Sequence, residues 1–207
     1  MALSQDRRVP IFTQGAQSDP TGWNWGTVRA ISAGGLTIDG DELRFFVTGS
    51  SVTTGPLSQT TGVATLRRDG FACLTAVDDG ATVLTRPLRF SGGFAFANLV
   101  GAMNWTVLAE DGSPLPPFLA ANSRAGCAAT AAAVNSTRCP FSWQAGGSTV
   151  RLGALAGRVL RFRFDLARGT ELYSFWVSRW ASGESGGYVA GGGPAFTSAR
   201  DLPKPQQ

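Results

Sequence analysis

In Val159-Leu160-Arg161-Phe162-Arg163-Phe164-Asp165-Leu166 the seven residues from Leu160 alternate without exception, with Leu160, Phe162, Phe164 and Leu166 on one face and Arg161, Arg163 and Asp165 on the other. A period of two over that length predicts a β-strand with one face in a core and one in water. A few residues on, Glu171 to Val177 is apolar at nearly every position (Leu172, Tyr173, Phe175, Trp176, Val177), which predicts a strand covered on both faces in the interior of a sheet. The rest of the chain repeats the pattern in shorter pieces. Leu36-Thr37-Ile38 and Leu43 to Val47 flank Asp39-Gly40-Asp41, the signature of a hairpin, and Val63 to Arg67 ends at the turn Arg68-Asp69-Gly70. Ala81 to Thr85, Gly93 to Ala97 and Asn104 to Ala109 are further strands, the last closed by Glu110-Asp111-Gly112. Ala125 to Ala133 is Ala-rich, but Gly126 and the following Asn-Ser-Thr interrupt any helical face, so it reads as a loop. Beyond Trp180 the composition shifts to Gly, Ser and Pro, and 181–207 reads as a flexible tail.

Composition agrees with an all-β reading. The 207 residues are 43% hydrophobic and 15% charged, enough for a packed core, and 27 Gly with 11 Pro suit short strands and tight turns and argue against a helical bundle. The absence of histidine excludes Ser/His/Asp and Cys/His relays and His-ligated zinc or haem. No Gly-rich stretch leads into the Lys-Ser/Thr of a phosphate loop, and the Asp-rich turns lack calcium-loop spacing, so neither a cofactor nor a metal is implied.

The 18 basic residues, against 14 acidic ones, are scattered from Arg7 to Arg200. Their densest group (Arg158, Arg161, Arg163, Arg168) is interrupted by Asp165, so nucleic acid is not an expected partner. No stretch approaches the roughly 20 apolar residues of a membrane span, and no apolar segment follows Asp6, Arg7 and Arg8 as a signal peptide requires. Cys127 and Cys139 bracket a short segment and are the expected disulfide, leaving Cys73 free. The sequons Asn104-Trp105-Thr106 and Asn135-Ser136-Thr137 are candidate N-glycosylation sites and, with the disulfide, favour an extracellular or secretory setting.

Four ordered segments carry a resemblance: Thr61 to Phe71, Leu84 to Phe90, Leu155 to Phe164 and Leu172 to Trp176. Together they resemble the C-terminal region of glycoside hydrolase proteins related to the five-bladed β-propeller families 32 and 43, in which a propeller is followed by a β-sandwich. Gly22 to Val28, Gly40 to Leu43 and Thr48-Gly49 are similar to a last propeller blade. The resemblance implies a partial propeller blade and linker over 1–59, a jelly-roll-like antiparallel β-sandwich over 60–180, and a polysaccharide or oligosaccharide as ligand. It also implies a partner that would supply the missing blades, or a truncated enzyme. Asn24 and Asn135 stand where the family pattern has Asp, and at most one blade is present.

Glycoside hydrolysis needs two carboxyl groups about 5 to 9.5 Å apart. The 10 Asp and 4 Glu fall mostly in turn sequences, and Asp69 reads as a turn or Arg-paired residue, so no catalytic pair is expected. Trp23 and Trp25, flanking Asn24, are the candidate sugar platform, because the apolar face of a pyranose stacks on an indole while polar neighbours bond its hydroxyls. Trp105, Trp143 and Trp176 lie within strand patterns and are expected in the core. The function expected is a non-catalytic, carbohydrate-associated module; the alternative is a structural or protein-interaction sandwich without glycan binding, using its edge strands.

Overall fold

The computed structural model describes residues 29–51, 58–127 and 134–204, and these are all-β, with antiparallel sheets and only two single 3-10 turns, Ala120–Asn122 and Leu152–Leu155. The chain divides into two compact units: Ser4–Arg68 with Val189–Ala199, and Asp69–Tyr188 with Met1–Leu3 and Arg200–Gln207.

In the first unit three strands, β1 (Arg29–Asp39), β2 (Glu42–Ser51) and β3 (Ser58–Arg67), form an antiparallel meander in the order β1-β2-β3. The Asp-Gly signal lands as expected: Asp39 pairs with Glu42 across the two-residue turn Gly40-Asp41. Ile38, Leu43 and Val47 are buried, while Phe46 and its cross-strand partner Val63 sit exposed on the opposite face. The free side of β1 is met by the segment after Tyr188, where Thr37 and Gly192 form a parallel bridge and the Ile38 N–H donates to the Gly192 carbonyl at 2.7 Å. A Cβ at Gly193 would fall on the Ile38 carbonyl, so only glycine permits this approach.

Among the described residues the second unit has nine strands in two sheets. They are β4 (Leu74–Thr75), β5 (Ala81–Leu84), β6 (Phe94–Gly101), β7 (Met103–Ala109), β8 (Ser123–Ala125), β9 (Val134–Ala145), β10 (Ser148–Val150), β11 (Leu160–Leu166) and β12 (Glu171–Ser178). One sheet runs β10-β9-β6-β12-β4 with β8 beside β9; the other runs β5-β11-β7. From β4 to β7 and from β9 to β12 the chain crosses between the sheets, apart from the β9–β10 hairpin, and the pairings nest: β4 with β12, β5 with β11, β6 with β9. β12 lies between β6 and β4, but β4 pairs only with Glu171 and Leu172 and residues 173–177 are half-buried, so the covering expected on both faces is met only in part.

The alternating strand behaves as its pattern dictates. Phe162 and Phe164 are fully buried, and Arg161, Arg163 and Asp165 are half-exposed. The two sheets meet around Trp105 of β7, whose ring lies 4.8 Å from Phe164 and 5.0 Å from Phe162 on its own sheet, and 5.7 to 6.0 Å from Phe141, Phe175 and Trp143 on the other. Trp143 locks the contact by donating its indole N–H to the Trp105 carbonyl at 2.8 Å. Trp105 and Trp143 are fully buried, whereas Trp176 is half-buried and stacks on Phe96.

Two expectations need correction. The division expected between 59 and 60 falls after Arg68, because β3 completes the meander and cannot leave its partner β2. The flexible tail expected over 181–207 is tied to the rest of its chain by hydrogen bonds at positions between Ser182 and Asp201. Trp176 donates its indole N–H to the Gly183 carbonyl, and Ser178 its hydroxyl to the Glu184 carbonyl. Arg138 grips the Ser182 carbonyl and the Glu184 carboxylate, and Asp201 accepts from the Ser185 N–H. A Gly-rich composition gave no hint of this, since the contacts are made by backbone atoms and the small residues permit close packing.

Candidate functional site

β11 places three charged side chains on the outward face of the β5-β11-β7 sheet, and cross-strand pairing surrounds them. Asp165 lies opposite Thr82 and Asn104, Arg163 opposite Leu84 and Thr106, and Arg161 opposite Leu108. Directly paired residues share a face, so these eight form one surface. Thr106 and Leu108 are buried, which leaves β11 and the β5 side open, with Leu84 55% exposed.

The polar groups of this face hold each other in place. Asp165 accepts from the Thr82 hydroxyl at 3.2 Å through one oxygen and from Arg163 at 3.2 Å through the other. Arg161 donates to two backbone carbonyls, Glu110 at 3.0 Å and Thr85 at 3.4 Å, and no carboxylate among the described residues neutralises it. Past β5 the chain continues beside β11: Thr85 bonds Phe162, Leu88 bonds Leu160, and the Phe90 carbonyl accepts from Gly157. Leu88 and Phe90 pack on the core, so Arg89 between them points outward, and Arg86 is exposed two residues beyond Leu84. Arg86, Arg89, Arg161 and Arg163 therefore come to one face from two segments some 70 residues apart in sequence.

The carboxylates are largely engaged elsewhere. Asp39 and Glu42 pair with Arg44, Glu171 accepts from the Tyr173 hydroxyl, Glu184 pairs with Arg138 and Asp201 receives the Ser185 N–H. Asp111 closes its turn by accepting the Ser113 N–H at 2.9 Å and hydroxyl at 2.7 Å, the first of which does most to hold its pKa below the usual carboxylate value. Asp78 and Asp79 line a groove of about 480 Å³ at the edge where β4 and β5 leave the two sheets, with Thr75, Thr82, Val83 and Leu166. They are sequence neighbours in one exposed turn. Among the described residues no group of three His, Cys, Asp or Glu side chains could hold a metal ion, and no helix is long and apolar enough to cross a membrane.

The candidate sugar platform, Trp23, Asn24 and Trp25, lies outside the described residues. Cys127 and Cys139 form the expected disulfide, and Cys73 is a free, half-buried thiol. Asn104 and Asn135 are both exposed, while the Thr of each sequon, Thr106 and Thr137, is buried. Sequence reasoning placed Arg161, Arg163 and Asp165 on one face but missed Arg86 and Arg89. The apolar pair Leu88 and Phe90 around Arg89 was the available signal, a short continuation of period two past Pro87.

No protein-family model, no curated protein and no solved structure matches this chain.

Proposed function

We propose that the protein is a non-catalytic, carbohydrate-associated module. The observation that carries this reading is the nested pairing of the second unit. With β8 and β10 set aside as short flanking strands and the segment at Pro114, which Leu108 bridges, counted as a fifth, the strands numbered from β4 stand in the order first-eighth-third-sixth in one sheet (β4-β12-β6-β9) and second-seventh-fourth in the other (β5-β11-β7). This order agrees with a jelly roll, an architecture used by lectin domains among others. The three-stranded meander of the first unit agrees with a partial propeller blade. The engagement of most described carboxylates in turns and ion pairs, with the cross-strand pair Asp39 and Glu42 sharing Arg44, supports binding without hydrolysis. Affinity electrophoresis through gels containing plant and microbial polysaccharides, run beside reducing-sugar assays on fructans, arabinans and xylans, tests it. Retardation without hydrolysis is expected; turnover that survives repurification and is lost with one Asp or Glu substitution refutes it.

A second reading, a structural or protein-interaction module, is favoured by β3. It pairs with β2 along its length and with no other strand among the described residues, and it carries no charge from Ser58 to Leu66. Uncharged edges of this kind accept partner strands. A stable oligomer by light scattering, together with no retardation in any glycan gel, would select this reading.

A further inference from the structure

We infer that the outward face of the β5-β11 region binds an acidic polysaccharide through its carboxylate or sulfate groups, with Arg161 and Arg163 at the centre and Arg86 and Arg89 beside them. This rests on the carbohydrate reading and names its ligand class and its site. The charge balance comes first. Four guanidinium groups share the face with Asp165, which is already paired to Arg163, and with Glu110, whose backbone carbonyl takes an Arg161 N–H and whose side chain is exposed next to it. Cations stay in excess even when both acids are counted, and Arg161 has no carboxylate partner among the described residues.

Preorganisation is the second argument. Two carbonyls hold Arg161 through Nε and Nη1, and Asp165 steers Arg163 through Nη2, so neither side chain has to be ordered on binding; Nη2 of Arg161 and Nη1 of Arg163 remain for an anion, while Nε of Arg163 is buried. Along β11 the two arginines stand one strand period apart, roughly 6.6 Å, so successive acidic groups of an extended chain can meet successive side chains. Thr82 at the Asp165 end, its proton given to Asp165, offers an oxygen that can accept from a sugar hydroxyl. Third, among the described residues the face holds no exposed aromatic ring: its exposed apolar side chain is Leu84, while Phe46, Phe71 and Tyr188 belong to other segments. Neutral sugars rely on ring stacking and single-stranded nucleic acids on base stacking, and this face provides for neither. Charge-directed binding of a hydroxyl-rich acidic polymer is what it can do.

The test is affinity electrophoresis and calorimetry at low salt on the full chain with polygalacturonate, dextran sulfate, neutral arabinan and single-stranded DNA. The variants are Arg161→Gln, Arg163→Gln and the double change Arg86→Gln/Arg89→Gln. Arg161→Lys serves as the charge-keeping variant, and Arg151→Gln, where the guanidinium lies over Phe94, as the distant control. Thermal melts establish that each variant is folded. Binding of polygalacturonate, dextran sulfate or both is expected, weakening with added salt, about tenfold weaker in Arg161→Gln and unchanged in Arg151→Gln. Arg161→Lys should recover part of the loss, and preference between the two acidic polymers separates carboxylate from sulfate. Arabinan binding that the face variants leave intact, without binding of either acidic polymer, overturns this site and leaves the carbohydrate reading standing. No binding to any glycan overturns both. DNA bound as tightly as the acidic glycans, or equal weakening by Arg151→Gln, shows unspecific charge attraction and refutes the proposal.

Discussion

Replacing Phe164 by Ala removes a ring that is fully buried and lies 4.8 Å from Trp105, 4.9 Å from Phe175 and 6.4 Å from Phe162. A buried Phe→Ala change typically costs about 3–5 kcal/mol, partly lost transfer energy and partly the cavity left behind. The ring lies at the joint between the sheets, where two of its three aromatic partners are under 5 Å away, so the upper part of that range applies. For a unit of this size the loss amounts to a fall in melting temperature of roughly 10–20 °C. Arg163→Ala, one position back on the same strand, removes an ion pair whose side chains are 40% and 30% exposed, and should cost less than about 1 kcal/mol. Circular dichroism melts and urea unfolding followed by tryptophan fluorescence decide between the two, since Trp105 and Trp143 both sit in this core. Equal losses from Phe164→Ala and Arg163→Ala would mean that β11 is buried on both faces, and a larger loss from Arg163→Ala would refute the assignment of the faces.

Removing the disulfide in the double variant Cys127→Ser/Cys139→Ser should cost about 3 kcal/mol by chain-entropy arithmetic for a separation of 12 residues, while alkylation and mass spectrometry of the native protein should find one reactive thiol, Cys73. Three alkylated thiols in the native protein would contradict the bridge. Gly183→Ala would place a Cβ at 2.8 Å from the Phe96 ring and from the Arg138 side chain, at a backbone angle of φ +90. It should release the 181–188 segment, seen as faster proteolysis there and red-shifted Trp176 emission; unchanged proteolysis would restore the reading of a loose tail. Asp111 has its folded pKa lowered, so its stabilising effect is present above the usual carboxylate pKa and is lost as pH falls through the lowered value. Carboxyl chemical shifts against pH should show this, and Asp111→Asn should flatten that part of the acid unfolding profile; a titration at the ordinary Asp value would contradict the turn geometry.

Much of the architecture was legible because burial writes a local pattern. Leu160 to Leu166 revealed strand and buried face together, since side chains on a strand must alternate between core and water. The hairpins at Gly40-Asp41 and Asp111-Gly112 were legible because their turns demand particular residues. β9 was not read as one 12-residue strand, although Ala145-Gly146-Gly147-Ser148 carries a hairpin signal, because Pro140 and Cys139 disguise its alternation. Residues 181–188 were misread for a different reason: Gly183, Glu184 and Ser185 are held by Arg138, Trp176, Ser178 and Asp201, and no pattern within the segment encodes partners up to 46 positions away.

The sequence alone determined that this protein is built of antiparallel strands, which residues of β11 face the core, and that Cys127 and Cys139 join. Each of these depends on neighbours within a dozen residues, through side-chain alternation, turn chemistry or loop closure. Only the tertiary structure decided that β3 belongs with β1 and β2, that the Gly-rich stretch is packed, and that Arg86 and Arg89 stand beside Arg161 and Arg163. Strand order and register join residues some 70 positions apart, and a charge cluster assembled across strands leaves no periodic trace in the chain.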